Sequence, residues 1–418
     1  MRSIVWLLLL AVVAVVGASA LGANDGVITL YWLGWRADLS LNLFLIAMVL
    51  VHLAVYSLVR GVDSLIGLPE RAKRWRVGQR DRLAQAALRE GLALYMAGRY
   101  TRAHKACQKA IAIQADTPEL ARDAEFTALA HLLSAGSLHR LQDRTRRDDH
   151  LQRALAMSQL TRKPRATEEG ARLLGAECAL EDRDATRALR DLAELPPGVA
   201  RRTHALRLKL QAARLARQPV EALRTARLLA KHQGFTSSAA EGLLRTLAME
   251  TLDSARDADQ LRGLWLNLDP QDRRDPLVVA HGAKRMASLG ATREARQWLA
   301  PIWDRLNQLP PDAVDAQARA LSQSLLGLEA DWLPRLDACH QLALRSPGLA
   351  LALGLALAER QLWGKARGML LSAANDLQLD LERRRTAWAR LGQLAEQDQR
   401  SEEAARFYRL AALPDRAD

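Results

Sequence analysis

Apolar and polar positions follow two regimes along this chain. The segments Ile4 to Leu21 and Leu41 to Val59 contain no Asp, Glu, Lys or Arg. Each is long enough, as a helix rising about 1.5 Å per residue, to cross a hydrocarbon core of about 30 Å. From residue 60 onward the apolar residues recur at i, i+3, i+4 and i+7, as in Ala205 to Leu215 and Ala222 to Leu229, which predicts amphipathic helices. Pro196-Pro197, Pro219, Asp269-Pro270, Pro310-Pro311 and Pro347-Gly348 mark breaks between helices. Strand formers are scarce in this part, so a sheet is not expected.

Within the helical regime a frame recurs. Gly91, Gly98, Tyr100, Ala103, Cys107 and Ala110 form one instance. Gly354, Leu357, Trp363, Ala366, Leu370 and Ala373 form another, and Trp388, Leu391, Gly392, Ala395, Ala404, Tyr408, Ala411 and Pro414 a third. A weaker unit runs from Ala283 through Gly290, Ala295 and Leu299 to Ile302. Between Thr117 and Pro276 the frame is only hinted at, around Ala222, Ala226 and Leu229. These are the small and large positions of the tetratricopeptide repeat. Small residues let two helices approach, and large ones fill the space between successive pairs. The expected fold is therefore all-α, a two-helix transmembrane hairpin followed by a tetratricopeptide-like α-solenoid. Its divisions are residues 1–60 for the hairpin (spans about 4–21 and 41–59), 61–85 for a basic juxtamembrane helix, and 86–418 for the repeats.

Charge adds a location. The chain has 418 residues and a formal net charge of +13. Between Arg60 and Arg82 stand seven basic residues against three acidic ones, with Arg60, Arg71, Lys73, Arg74 and Arg76 nearest the second apolar segment. That placement fits the positive-inside rule and attraction to anionic lipid. No nucleic-acid-reading motif accompanies it, so no nucleic-acid partner is expected. Ala18-Ser19-Ala20 is a fair cleavage pattern after the first segment. With or without cleavage the second span remains, and the helical part is expected in the cytoplasm of a multi-pass protein. Tyr31, Trp32 and Trp35 between the spans are expected at the membrane–water interface, with Val27 to Trp35 also fitting a short ribbon.

Chemistry-bearing motifs are missing. There is no phosphate-binding glycine loop, no Gly-x-Ser-x-Gly elbow, no His-Glu-x-x-His and no Cys-x-x-Cys-His. Cys107, Cys178 and Cys339 lack metal-ligand spacing and are expected as buried apolar residues. Cys339 and His340 point about 100° apart on a helix and cannot pair. His52, inside the second span, is the one candidate ligand for a haem iron, yet no second ligand accompanies it and helix packing is the plainer role. Asp148-Asp149-His150 is expected as a solvated helix start. His104 is expected to be structural, and the runs Arg144, Arg146, Arg147 and Arg383 to Arg385 to lie on solvated faces. No catalytic or metal site is expected, and no cofactor unless haem or porphyrin binds.

The two spans, Gly26, Val27, Ile28 and Tyr31 between them, the basic segment, and Gly98-Arg99-Tyr100 with Ala103 in frame resemble the proteobacterial HemY family. The resemblance is best up to about residue 115. It implies an inner-membrane tetratricopeptide protein linked to a late step of protohaem synthesis, organising haem-biosynthesis enzymes as protein partners. A haem or porphyrin carrier and a general envelope-protein assembly adaptor are the alternatives. The family supplies no catalytic residues to carry over.

Overall fold

The computed structural model describes residues 25–66, 68–159, 166–232 and 236–412, with Gly17 and Gly22. The first expected span and Pro414 lie outside the described residues. Among the described residues there are 21 α-helices and one two-stranded ribbon, so the all-α expectation holds. The chain divides into two compact units, Met1–His150 and Leu151–Asp418.

The first unit opens with strands β1 (Val27–Trp32) and β2 (Trp35–Ser40), paired antiparallel from Val27 opposite Ser40 to Trp32 opposite Trp35. The ribbon thus reaches beyond the expected Val27 to Trp35. Leu33 and Gly34 turn it, both at positive φ (46° and 89°), which matches the twist of the flanking strands. Helix α1 (Leu41–Ile66) follows with no linker, its first N–H donating to Gly26 O at 2.8 Å. The stretch Leu41–Val62 is long and apolar enough to cross a membrane, and none of its most apolar window is buried within the protein. Helix α2 (Leu68–Met96) begins with Pro69 in its first turn, where a missing N–H costs nothing. Residues 61–85 are therefore shared between α1 and α2. Helices α3 (Tyr100–Ala115) and α4 (Ala124–Arg140) stack on α2 in turn, and α5 (Arg144–Gln159) runs across the boundary between units.

The second unit continues with α6 (Ala166–Glu181), α7 (Ala185–Ala193), α8 (Pro197–Ala200), α9 (Thr203–Leu215), α10 (Pro219–Lys231), α11 (Ser237–Asp253) and α12 (Ala258–Asn267). After these come α13 (Pro276–Ser288), α14 (Thr292–Trp303), α15 (Pro311–Ser322), α16 (Leu333–Ala338), α17 (His340–Ala343), α18 (Pro347–Glu359), α19 (Trp363–Asn375), α20 (Leu381–Gln397) and α21 (Ser401–Ala412). Of the punctuating prolines, Pro197, Pro219, Pro311 and Pro347 sit in the first turns of α8, α10, α15 and α18, whereas Pro270 lies outside the α-helices and Pro276 starts α13. Aspartates cap others: Asp184, Asp257 and Asp380 each accept an N–H three residues on. Many helices pack chiefly on a sequence neighbour, α6 on α7, α9 on α10, α13 on α14, α18 on α19 and α20 on α21, whereas α15 packs mainly on α13 and α18. One continuous apolar core runs from Leu206 to Phe407.

A single turn joins most of these pairs. Gly98, Gln142, Arg183, Arg217, Gly290, Gln361 and Gln399 all have positive φ, between 53° and 87°. In every case the next residue's N–H donates to the carbonyl five residues earlier, at 2.8–3.1 Å. This is the hydrogen bond of a left-handed helix C-cap. Five residues after the left-handed position stand Ala103, Ala188, Ala222, Ala295, Ala366 and Ala404, all buried. Arg147 takes that place at the remaining turn.

Seven residues before three of these turns stand Gly91, Gly354 and Gly392. A Cβ there would lie 2.7–2.8 Å from the side chain sixteen residues on: Cys107, Leu370 and Tyr408. At Gly354 the Leu370 backbone N, at 3.1 Å, blocks retreat as well. Gly354→Val is expected to lower stability by about 2 kcal/mol through overpacking, read as a lower urea midpoint. Adding Leu370→Ala should cost less than the sum of the two single changes, because the cavity accepts the new methyl groups.

Candidate functional site

Ala103 and Ala110 are fully buried against α2, and Tyr100 meets Tyr95 edge-on at 5.7 Å. Ala366 and Ala404 are buried, whereas Trp363 stays 39% exposed at the start of α19. Trp388 stacks on Phe407 at 5.6 Å, and Tyr408 Oη donates to Glu396 at 2.8 Å. Gly91, Gly354 and Gly392 set the helix spacing.

The membrane-proximal cations are exposed: Arg60, Arg71, Lys73, Arg74 and Arg76. Arg60 belongs to α1 and the other four to the first three turns of α2. Lys73 pairs with Glu119 at 2.9 Å. The hydrogen bond and charge of Glu119 raise the Lys73 ammonium above its ordinary value, and Lys73 lowers the Glu119 carboxyl. Arg80 donates to Asp116 O and Thr117 Oγ1, each at 3.1 Å. Together these bonds tie the basic half of α2 to the end of α3. Between them lies a cleft of about 600 Å³ lined by Trp75, Arg76, Arg80 and Pro118.

A buried histidine cluster sits where α3, α4 and the start of α5 meet. His104 Nδ1 lies 2.7 Å from Ser134 Oγ, and His131 Nδ1 lies 2.8 Å from His150 Nδ1. The His104 and His150 rings meet edge-on at 5.4 Å. In the second pair one ring nitrogen must donate and the other accept, so the contact holds at most one proton. The 2.8 Å separation is that of a direct hydrogen bond between the two rings. This corrects two expectations. His150 is buried rather than part of a solvated helix start, since it is the seventh residue of α5 and faces His131. Arg147 is 2% exposed rather than solvated, because it fills the small-residue position of its turn, with Nε donating to Asp148 at 2.8 Å. Arg144 and Arg146 are exposed as expected. Arg383 is not simply solvated either: it bridges Asp315 and Asp380 at 2.7 and 2.6 Å.

The cysteines are free and buried. Burial pushes the Cys107 thiol up to about 12 and Cys339 to about 11, which makes both inert as nucleophiles. His340 is exposed while Cys339 is buried, so the two diverge. His52 is exposed on the surface of α1. Among the described residues no group of His, Cys, Asp or Glu is arranged to hold a metal.

The second unit carries two arginine-rimmed clefts that sequence reading missed. One, about 460 Å³, has Val220, Leu223, Leu264 and Leu268 as its floor and Arg224 and Lys231 at its edge. Arg227 beside them is held by Asp269 at 2.6 Å and by Asp272. Arg224 and Lys231 are exposed, and no ion pair holds them among the described residues. The other cleft, about 570 Å³, is lined by Trp265 and Trp298, stacked at 4.3 Å, with Arg273, Arg274 and Arg305 around them. Residues from different helix pairs build each cleft, so no local motif announces it.

A family model described as the HemY protein N-terminus matches residues 26–135. That range covers the ribbon, α1 to α3 and most of α4. No curated protein matches the chain. Thirty chains of solved structures match. Among them is a chain from "Structure of Naa15/Naa10 bound to HypK-THB", 13% identical, with a TM-score of 0.25, covering 78% of this chain and 58% of that one. A score that low carries no argument.

The histidine cluster has a measurable signature. Burial first, then the nearby Arg146, lower the His104 pKa below 6.5, against a raising contribution from Asp143. The unfolded chain therefore binds more protons than the folded one below pH 6.5. Stability from neutral His104 is complete above that pH and is lost as the pH falls toward the folded value. Urea titrations at pH 7.5 and 5.5 should show a smaller drop for His104→Gln than for the parent chain.

Proposed function

We propose, from the match of residues 26–135 to the HemY protein N-terminus model, that this is a HemY-family protein, a membrane-anchored helical-repeat scaffold serving a late step of protohaem synthesis. The observation that carries this reading is the seven-fold recurrence of one inter-helix turn behind a helix long enough to cross a membrane. A chain of helix pairs of the tetratricopeptide type presents broad surfaces for protein partners. Tethering such surfaces beside the bilayer raises the effective concentration of enzymes whose apolar substrates partition there. By the positive-inside rule, the basic start of α2 supports a cytoplasmic position for the repeats. The cleft edged by Arg224 and Lys231 suits a partner segment with apolar and acidic side chains.

The test is in-membrane crosslinking and affinity purification of the tagged full-length chain, with mass spectrometry of what is recovered. Recovery of a late haem-pathway enzyme is the expected result. Arg224→Glu with Lys231→Glu should lower that recovery about tenfold, equivalent to ~1.4 kcal/mol, with helical circular dichroism unchanged. Recovery of envelope-assembly proteins alone would discard the haem link. A Soret shift on titrating the purified chain with haem, abolished by His52→Ala, would favour a carrier instead.

A further inference from the structure

The ribbon that precedes α1 is sorted by face. Residues directly opposite in an antiparallel pair share a face, and successive residues alternate. With the observed register, Ile28, Leu30, Trp32, Trp35, Ala37 and Leu39 lie on one side. All six are apolar. The other side carries Thr29, whose Oγ1 donates to Asp38 at 2.6 Å, and Arg36, whose Nε donates to the same carboxylate at 3.2 Å. Trp32 and Trp35 are 76% and 80% exposed, so no described residue covers the apolar tip.

Such a face needs a cover. A lone two-stranded hairpin is marginal in water, and six contiguous apolar side chains are more than a free surface of this size tolerates. Ser40 is followed at once by Leu41, the first residue of the membrane-length helix, and Leu41 N–H is bonded to Gly26 at the ribbon's other root. The ribbon is thus rooted at the point where α1 would enter the bilayer. The free backbone edges of a two-stranded ribbon exclude deep insertion, because the hydrocarbon core offers them no partners. The hydrated headgroup boundary does, and indole rings with one apolar body and one polar N–H settle there.

From this we infer that the ribbon lies flat on the lipid surface, its Ile28–Trp32 and Trp35–Leu39 apolar face in the acyl–headgroup boundary and its Thr29–Arg36–Asp38 face in water. It acts as an interfacial anchor on the leaflet opposite the basic start of α2. The amphipathic ribbon does what an interfacial amphipathic helix does, by the same burial of one apolar side. The inference rests on reading α1 as a membrane span.

The test labels single cysteines with an environment-sensitive fluorophore in the full-length chain, with Cys107, Cys178 and Cys339 replaced by alanine. The chain is reconstituted in phosphatidylethanolamine–phosphatidylglycerol vesicles containing a nitroxide lipid. Leu30→Cys and Ala37→Cys report the apolar face, Tyr31→Cys and Arg36→Cys the polar face, and Val51→Cys the span. All five positions are exposed, and helical circular dichroism checks the fold of each variant. Expected are blue-shifted emission and several-fold stronger lipid quenching at 30 and 37 than at 31 and 36, with 51 quenched. Labels at 30 and 37 that stay unshifted would place the face in water and overturn the inference. Labels there that shift but resist the nitroxide lipid would show a protein cover, another part of the chain or a second copy, and overturn it as well. An unquenched label at 51 would overturn the span itself, and the ribbon's placement with it.

Discussion

The spacing between the two helices of a pair governs the helical part of this protein. A residue in the left-handed conformation ends the first helix, and a hydrogen bond back across five residues fixes where the second begins. The second helix then presents a small residue five positions on, close to the first. At Gly91, Gly354 and Gly392 the approach is so tight that even a methyl group would strike the facing side chain. The close contact supplies dispersion and burial along the whole pair. The outer faces then differ freely, since they are not needed to hold the pair together.

That freedom shows in what surrounds the frame. At one turn Arg147 occupies the small position, and the surrounding space holds His104, His131 and His150 instead of aliphatic side chains. Buried polar groups of this kind stabilise only when their partners are in place, which is why the cluster should respond to acid. In the second unit the outer faces assemble arginine-rimmed clefts with apolar floors. Exposed cations over apolar surface fit acidic, partly apolar ligands and give the scaffold reading a physical address.

The same tension between burial and exposure governs the membrane end. α1 buries nothing in the protein across its most apolar window, and the ribbon before it sorts six apolar residues to one side. Both are explained by a solvent other than water. Next to them α2 turns its cations outward.

Much of this was legible in the sequence because it is local. A run without charges, helical periodicity, proline at helix starts and the glycine–alanine frame at both ends of the repeats are written within a few turns of chain. Those signals determined the helical class, the membrane-length helix at Leu41 and the family resemblance. The frame was only hinted at after Arg217 and was not legible at Gln142 and Arg183, where neither glycine at the left-handed position nor glycine seven residues before it marks the turn. The burial of Arg147 and His150 followed from which helix faces which, a matter of contacts across α3, α4 and α5. The sorting of the ribbon depended on register, since a slip of one residue would have moved every side chain on one strand to the opposite face. The clefts required residues tens of positions apart to meet. Composition and periodicity determine elements, because propensity and burial act over a few residues. Only the packed tertiary structure decides which side chains share a site, because that depends on distances between segments that the chain order does not encode locally.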